Sequence, residues 1–116
     1  MMVSVLTVLV DDLRSFTDGR AALVARTSAD AVTLLGRHRH DHIDELWLDH
    51  DLGGTDTIWP VVTLLEQAAF DGTPFDIGAV LIHSANPPGA IRLNQTLRRW
   101  GYRVRAVPGS PAVGYR

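Results

Sequence analysis

Residues 3–12 read VSVLTVLVDD, an apolar run rich in valine that is closed by two aspartates. Continuous apolar runs of this length mark strands buried on both faces of a parallel sheet. Three later segments repeat the pattern with a polar cluster at the end: ELWLDHD at 45–51, GAVLIHS at 78–84 and YRVRAVP at 102–108. The carboxyl ends of parallel strands open into one crevice. Asp11-Asp12, Asp49-His50-Asp51, His83-Ser84 and Val107-Pro108 are therefore predicted to converge there, far apart in sequence though they are.

Working outward from these runs, ALVAR at 22–26 reads as a second, shorter strand. The segment between it and the first, DDLRSFTDGRA, is at the lower limit for a crossover containing a helix, so the first helix is expected to be reduced or absent. Ser28 is the expected N-cap of a helix over 29–37, with Ala31, Leu34 and Leu35 at helical spacing. The third strand spans 43–49, and Gly53–Asp56 is a loop. A helix over 57–70 tolerates Pro60 in its first turn. The fourth strand spans 78–83, and Asn86-Pro87-Pro88-Gly89 forms a rigid loop before a helix at 89–100. Residues 102–107 alternate Tyr, Val and Ala with Arg, as in a half-exposed edge strand. GSPAVGYR is too short and broken for a final helix.

The result is a single α/β domain over 1–116, most economically a doubly wound parallel five-stranded sheet in the order 2-1-3-4-5. With a reduced first helix and no last helix, one sheet face lacks part of its cover. Trp100, Tyr102 and Val104 lie near an edge, so a homodimer or a partner protein is expected on the open face.

At 116 residues and 46% hydrophobic content the chain can bury one core, and its formal charge of −2 argues against non-specific nucleic-acid binding. All 11 basic residues are arginine, the side chain suited to forked phosphate contacts. The absence of cysteine excludes thiol catalysis, thiolate metal sites and disulfides, and fits a reducing compartment. The apolar start is too short for a membrane span and lacks the basic flank of a signal peptide, so a cytoplasmic location without membrane association is expected.

Asp11, Asp12, Asp49 and Asp51 repel one another in a shared crevice unless a cation sits among them. A hard divalent ion, Mg²⁺ or Mn²⁺, is the usual solution, and solvated turn aspartates are the plainer alternative. His50 stands between two carboxylates that would orient it for acid–base work, and His83 supplies a second imidazole. Such a pair can open a cyclic phosphodiester as base and acid. Ser84 and Asn86 precede a helix whose start could bind an anion, although Pro87-Pro88 leave few backbone donors and Asn86 could simply be the cap. Arg37-His38-Arg39-His40-Asp41-His42 lies at the amino end of its strand and reads as a solvated connection.

VLVDDLRSF, LWLDHDLGG and VLIHSANPPGA resemble the D-D-x-R, L-D-H-D-L-G and H-S-x-N-P-x-G motifs of the cyclic-phosphate processing receiver domain family, over about residues 3–107. The resemblance implies a receiver-like (flavodoxin-like) fold and a phosphoesterase acting on 2′,3′-cyclic RNA ends or cyclic nucleotides, in RNA repair. On that reading Asp49, His50 and His83 are catalytic, Arg14, Ser84 and Asn86 bind substrate, and Asp11, Asp12, Asp49 and Asp51 hold the metal. Ser15-Phe16 departs from the pattern, where a proline is expected. Asp49 takes the phosphoacceptor position of receivers, but Val107 stands where the fifth-strand lysine belongs and the chain contains no lysine. Phosphotransfer is therefore not expected. LDHDLGGT is also similar to the nucleophile loop of haloacid-dehalogenase phosphatases, without their lysine or late acidic pair. The non-enzymatic alternative is a pseudo-receiver acting as a protein–protein module.

Overall fold

The computed structural model describes residues 5–115. In chain order the elements are β1 (Thr7–Val10), β2 (Ser15–Phe16), β3 (Leu23–Ala25), α1 (Ser28–Arg37), β4 (Ile43–Leu48), α2 (Trp59–Phe70), β5 (Ile77–Ile82), α3 (Pro87–Arg99), β6 (Val104–Ala106) and β7 (Val113–Gly114). Five strands form one parallel sheet in the order β3-β1-β4-β5-β6. With the short β2 and β7 set aside this is the predicted 2-1-3-4-5 order of a receiver-like α/β fold, but the sheet is not doubly wound, because all three helices pack on one face. The first strand begins at Thr7; positions 3 and 4 of the predicted run lie outside the described residues.

Side-chain alternation assigns each sheet residue to a face. Val8, Val10, Leu46, Leu48, Val80 and Ile82 point to the side where the helices lie, and pack against Ala31 and Leu35 of α1, Val61, Val62 and Leu65 of α2, and Leu93 and Leu97 of α3. Leu9, Trp47 and Leu81 point to the opposite side and meet Phe16 and Val113. No first helix forms. Instead β2 pairs antiparallel with β7, Ser15 opposite Gly114 and Phe16 opposite Val113. This ribbon, made from the loop after β1 and the segment that was too broken for a helix, covers the centre of the face expected to be open.

The premise for a docked second chain is thereby weakened. Tyr102 and Val104 are buried, with the Tyr102 hydroxyl donating to the Leu65 carbonyl at 2.7 Å. The Trp100 indole donates to Glu66 at 2.7 Å and meets Phe70 edge-on.

Three local boundaries differ from the sequence reading. Thr27, not Ser28, caps α1: its hydroxyl accepts the Asp30 N–H, whereas Ser28 is turned to the carboxylate of Asp56. Helix α2 starts at Trp59, because Thr57 still pairs with Asp51 across the preceding loop. The predicted rigid loop before α3 is the helix's own first turn. Pro87 and Pro88 fill positions whose N–H groups need no helical partner, and Asn86 caps them by accepting the Gly89 N–H at 3.1 Å.

Candidate functional site

The register of the sheet builds the polar cluster. Leu9, Trp47 and Leu81 stand in one row across β1, β4 and β5. Two residues further along, the same face carries Asp11, Asp49 and His83. Their N–H groups continue the ladder beyond the strands, donating to the carbonyls of Ala25, Val10 and Leu48. All three residues are buried, and each offers a ligand atom within 4.8 Å of the others, close enough to hold a metal ion.

Arg14 enters this cluster from the loop after β1. Its Nε donates to Asp11 Oδ2 at 2.9 Å, and its Nη2 to Asp49 Oδ2 at 3.2 Å and to the His83 carbonyl at 3.4 Å. Among the described residues Nη1 has no hydrogen-bond partner. Arg26, which the sequence reading missed, braces the same loop through the carbonyls of Asp11 and Arg14 and the Ser15 hydroxyl. The Ser15-Phe16 departure has its reason here, because Phe16 is the residue that β2 buries against Trp47.

Asp11 and Asp49 titrate in opposite directions. Burial pushes the Asp11 carboxyl up, but the hydrogen bonds from His83 and the N–H groups of Arg14 and Leu13, with the Arg14 charge, outweigh it and hold the group well below the ordinary range. Burial also pushes Asp49 up, the Asp11 charge adds to it, and the contacts to His83 and Arg14 fail to offset them, leaving its pKa raised.

Donor chemistry decides whether an ion fits. Asp11 Oδ1 accepts the N–H groups of Leu13 and Arg14 at 2.9 and 2.7 Å, and Oδ2 accepts Arg14 Nε and His83 Nε2, each at 2.9 Å. Four donors fill the lone-pair sites of a carboxylate. Among the described residues His83 Nδ1 has no hydrogen-bond partner, but it is buried, whereas Mg²⁺ keeps several of its waters. The spacing suits a metal; the lone pairs, as arranged, do not. Asp12 and Asp51 are not in the cluster. Asp12 lies against the loop glycine Gly53, and Asp51 is engaged with His50 and Asn86.

The remaining predicted residues gather on the helical side. His50 Nδ1 lies 3.0 Å from Asp51 Oδ1, and Asn86 Nδ2 donates to Asp51 Oδ2 at 3.2 Å. The ring stands edge-on to Trp59 and packs against Gly89, so close that a Cβ there would sit 2.6 Å from it. Glycine is required at 89 by that approach, a role the sequence reading did not assign. His83 packs against Trp47, so the two imidazoles share no partner. Asn86 is spent on capping α3 and steering Asp51, and the Ser84 hydroxyl accepts the Asn86 N–H at 3.0 Å. With prolines at 87 and 88 and the Gly89 N–H capped, these first three positions of α3 offer no free backbone donor.

Ser84 also lines an apolar cavity of about 370 Å³, walled by Ile82, Pro87, Ile91, Ala106 and Pro108. Away from the crevice, the histidine run behaves as expected: His38 pairs with Asp41, and His42 with Asp76 and Asp44, all at the surface.

Among the described residues no helix is long and apolar enough to cross a membrane. A search of curated proteins yields no match to the chain. Residues 6–99 match the model of the cyclic-phosphate processing receiver domain, from the residue before β1 to the end of α3, and the chain belongs to that family.

Proposed function

We propose that the crevice hydrolyses a cyclic phosphodiester carried by a nucleoside or an RNA end. Family membership supports the phosphate, and one observation carries the reaction: His50 is held by Asp51 through Nδ1, while its Nε2 has no hydrogen-bond partner among the described residues. A base fixed by a carboxylate through one nitrogen presents the other to its substrate. In this reading His50 Nε2 takes a proton from the attacking water, a new P–O bond forms, and one bridging P–O bond of the ring breaks. Asp49, whose Oδ1 has no hydrogen-bond partner among the described residues, is assigned the return of a proton to the leaving ribose oxygen. Arg14 Nη1 contacts the phosphoryl oxygens. His83 acts through Asp11 as a positioning residue, and the apolar cavity beside Ser84 receives the nucleoside.

The test is hydrolysis of adenosine 2′,3′-cyclic phosphate followed by phosphorus NMR. Wild type should produce a ring-opened monoester, and His50→Gln should lower turnover roughly 10²–10⁴-fold with the fold intact. His38→Ala should leave it unchanged. Absence of turnover on this substrate and on 3′,5′-cyclic nucleotides would sink the enzymatic reading in favour of an interaction module. Acetyl phosphate should leave no phosphoryl adduct on Asp49, since no lysine is present to hold it.

A further inference from the structure

We infer that Arg14 is the built-in cation of this site and that the Asp11–Asp49–His83 cluster excludes a divalent ion. Two carboxylates brought together at strand ends need positive charge between them. Here the guanidinium supplies it, bridging Asp11 and Asp49 at 2.9 and 3.2 Å. The bridge is fixed from three sides. The backbone N–H of Arg14 itself binds Asp11 Oδ1, Nη2 reaches the His83 carbonyl, and Arg26 ties down the Arg14 carbonyl. An ion entering at Asp11 would have to displace either the guanidinium or the His83 N–H, because no lone pair of that carboxylate is spare. Such displacement leaves a buried donor unpaired, which costs about 1–3 kcal/mol before any ion–guanidinium repulsion is counted.

Arginine also differs from an ion in what it offers. It cannot lend a water to the reaction, but it presents a planar fork of fixed direction and stays charged at every working pH. The side chain is partly exposed and Nη1 donates no hydrogen bond among the described residues, so a cation that balances the carboxylates keeps a donor for the phosphate of the proposed reaction. The inference predicts a reaction indifferent to chelators.

Metal binding is measurable without substrate, so failure of the phosphoesterase reading would not decide this one. Wild-type protein titrated with MnCl₂, with free Mn²⁺ followed by electron paramagnetic resonance, should show no site up to about 1 mM, the weak end of oxygen-ligand sites. Its thermal midpoint should be the same in Mg²⁺, Mn²⁺ and EDTA. Arg14→Met keeps an apolar stem and releases both carboxylates. It should gain one Mn²⁺ site at least about tenfold tighter, as expected when a cation in contact distance is removed. The double variant Arg14→Met/Asp49→Asn should lose that site again. One equivalent of Mn²⁺ bound by wild type and lost in Asp49→Asn would overturn the inference. So would an Arg14→Met protein that folds and still binds nothing, because something other than the guanidinium would then exclude the ion. If Arg14→Met does not fold, Arg14→Gln serves for the same titration.

Discussion

On one face of the sheet, three helices bury aliphatic side chains contributed by every strand; on the other, a ribbon of two short strands covers little more than Leu9, Trp47 and Leu81. The thick face carries most of the apolar burial and hence most of the hydrophobic stabilisation. The thin face ends in the buried ionic hub, and its cover is the same loop that delivers Arg14. Stability and charge placement are thus divided between the two sides, and the division can be attacked from either.

The largest stability effect is expected at the hub. Asp11→Asn removes the charge that Arg14 and His83 share and leaves the guanidinium with Asp49 alone, a loss of about 3 kcal/mol in urea unfolding. A cost below that of an ordinary surface substitution would mean that the thin face contributes no electrostatic stability. Next comes the thick face: Leu65→Ala should cost about 2–4 kcal/mol, whereas Val113→Ala in the ribbon should cost about 1 kcal/mol. Equal losses would make the ribbon a full core layer.

Asp49→Asn should be close to neutral or stabilising at pH 7, and the pH dependence sharpens the contrast with Asp11. The folded pKa of Asp11 lies below its ordinary 3.8, so its stabilisation is complete above that pH and is lost as pH falls through the acid range. For Asp49 the folded pKa is the higher one, so wild type loses stability as pH rises from 3.8 through the folded value. Unfolding midpoints measured across this window should show Asp49→Asn without that loss. The smallest effect is expected at the amino end of the sheet. The hydrogen bond to Asp76 raises the His42 pKa, so any stabilisation is present below 6.5 and fades as pH rises through the folded value. His42→Gln should leave turnover alone and remove only that faint slope.

How much of this was legible in advance follows from which interactions are local. Strand runs, the missing first helix and the convergence of Asp11, Asp49 and His83 follow from side-chain period and parallel connection rules, which act within short windows. The division of the polar clusters between two faces was also implicit in the residue period, since 49 and 50 must diverge. His50 and His83, grouped in the sequence as an acid–base pair, accordingly have different partners, Asp51 for the first and Asp11 for the second. The β2–β7 ribbon was invisible because it joins segments almost a chain length apart, each too short to declare itself as a strand. Gly89 stood in plain view after two prolines. Its need for a bare backbone comes from His50, 39 positions earlier, as the close approach of the ring makes clear. Similarly, no local signal announced that Arg14 would take the place given to an ion.

The ribbon also sets a timetable. Residues 15 and 16 are made early, but their strand partners at 113 and 114 leave the ribosome almost a hundred residues later, as does the Pro111 carbonyl that accepts the Thr17 hydroxyl. Until then the loop that carries Arg14 is braced by Arg26 alone, and its β2 segment has no strand partner. A nascent chain can therefore zip its sheet and dock its helices while the face of Leu9, Trp47 and Leu81 stays uncovered, and that face closes only once β7 has emerged.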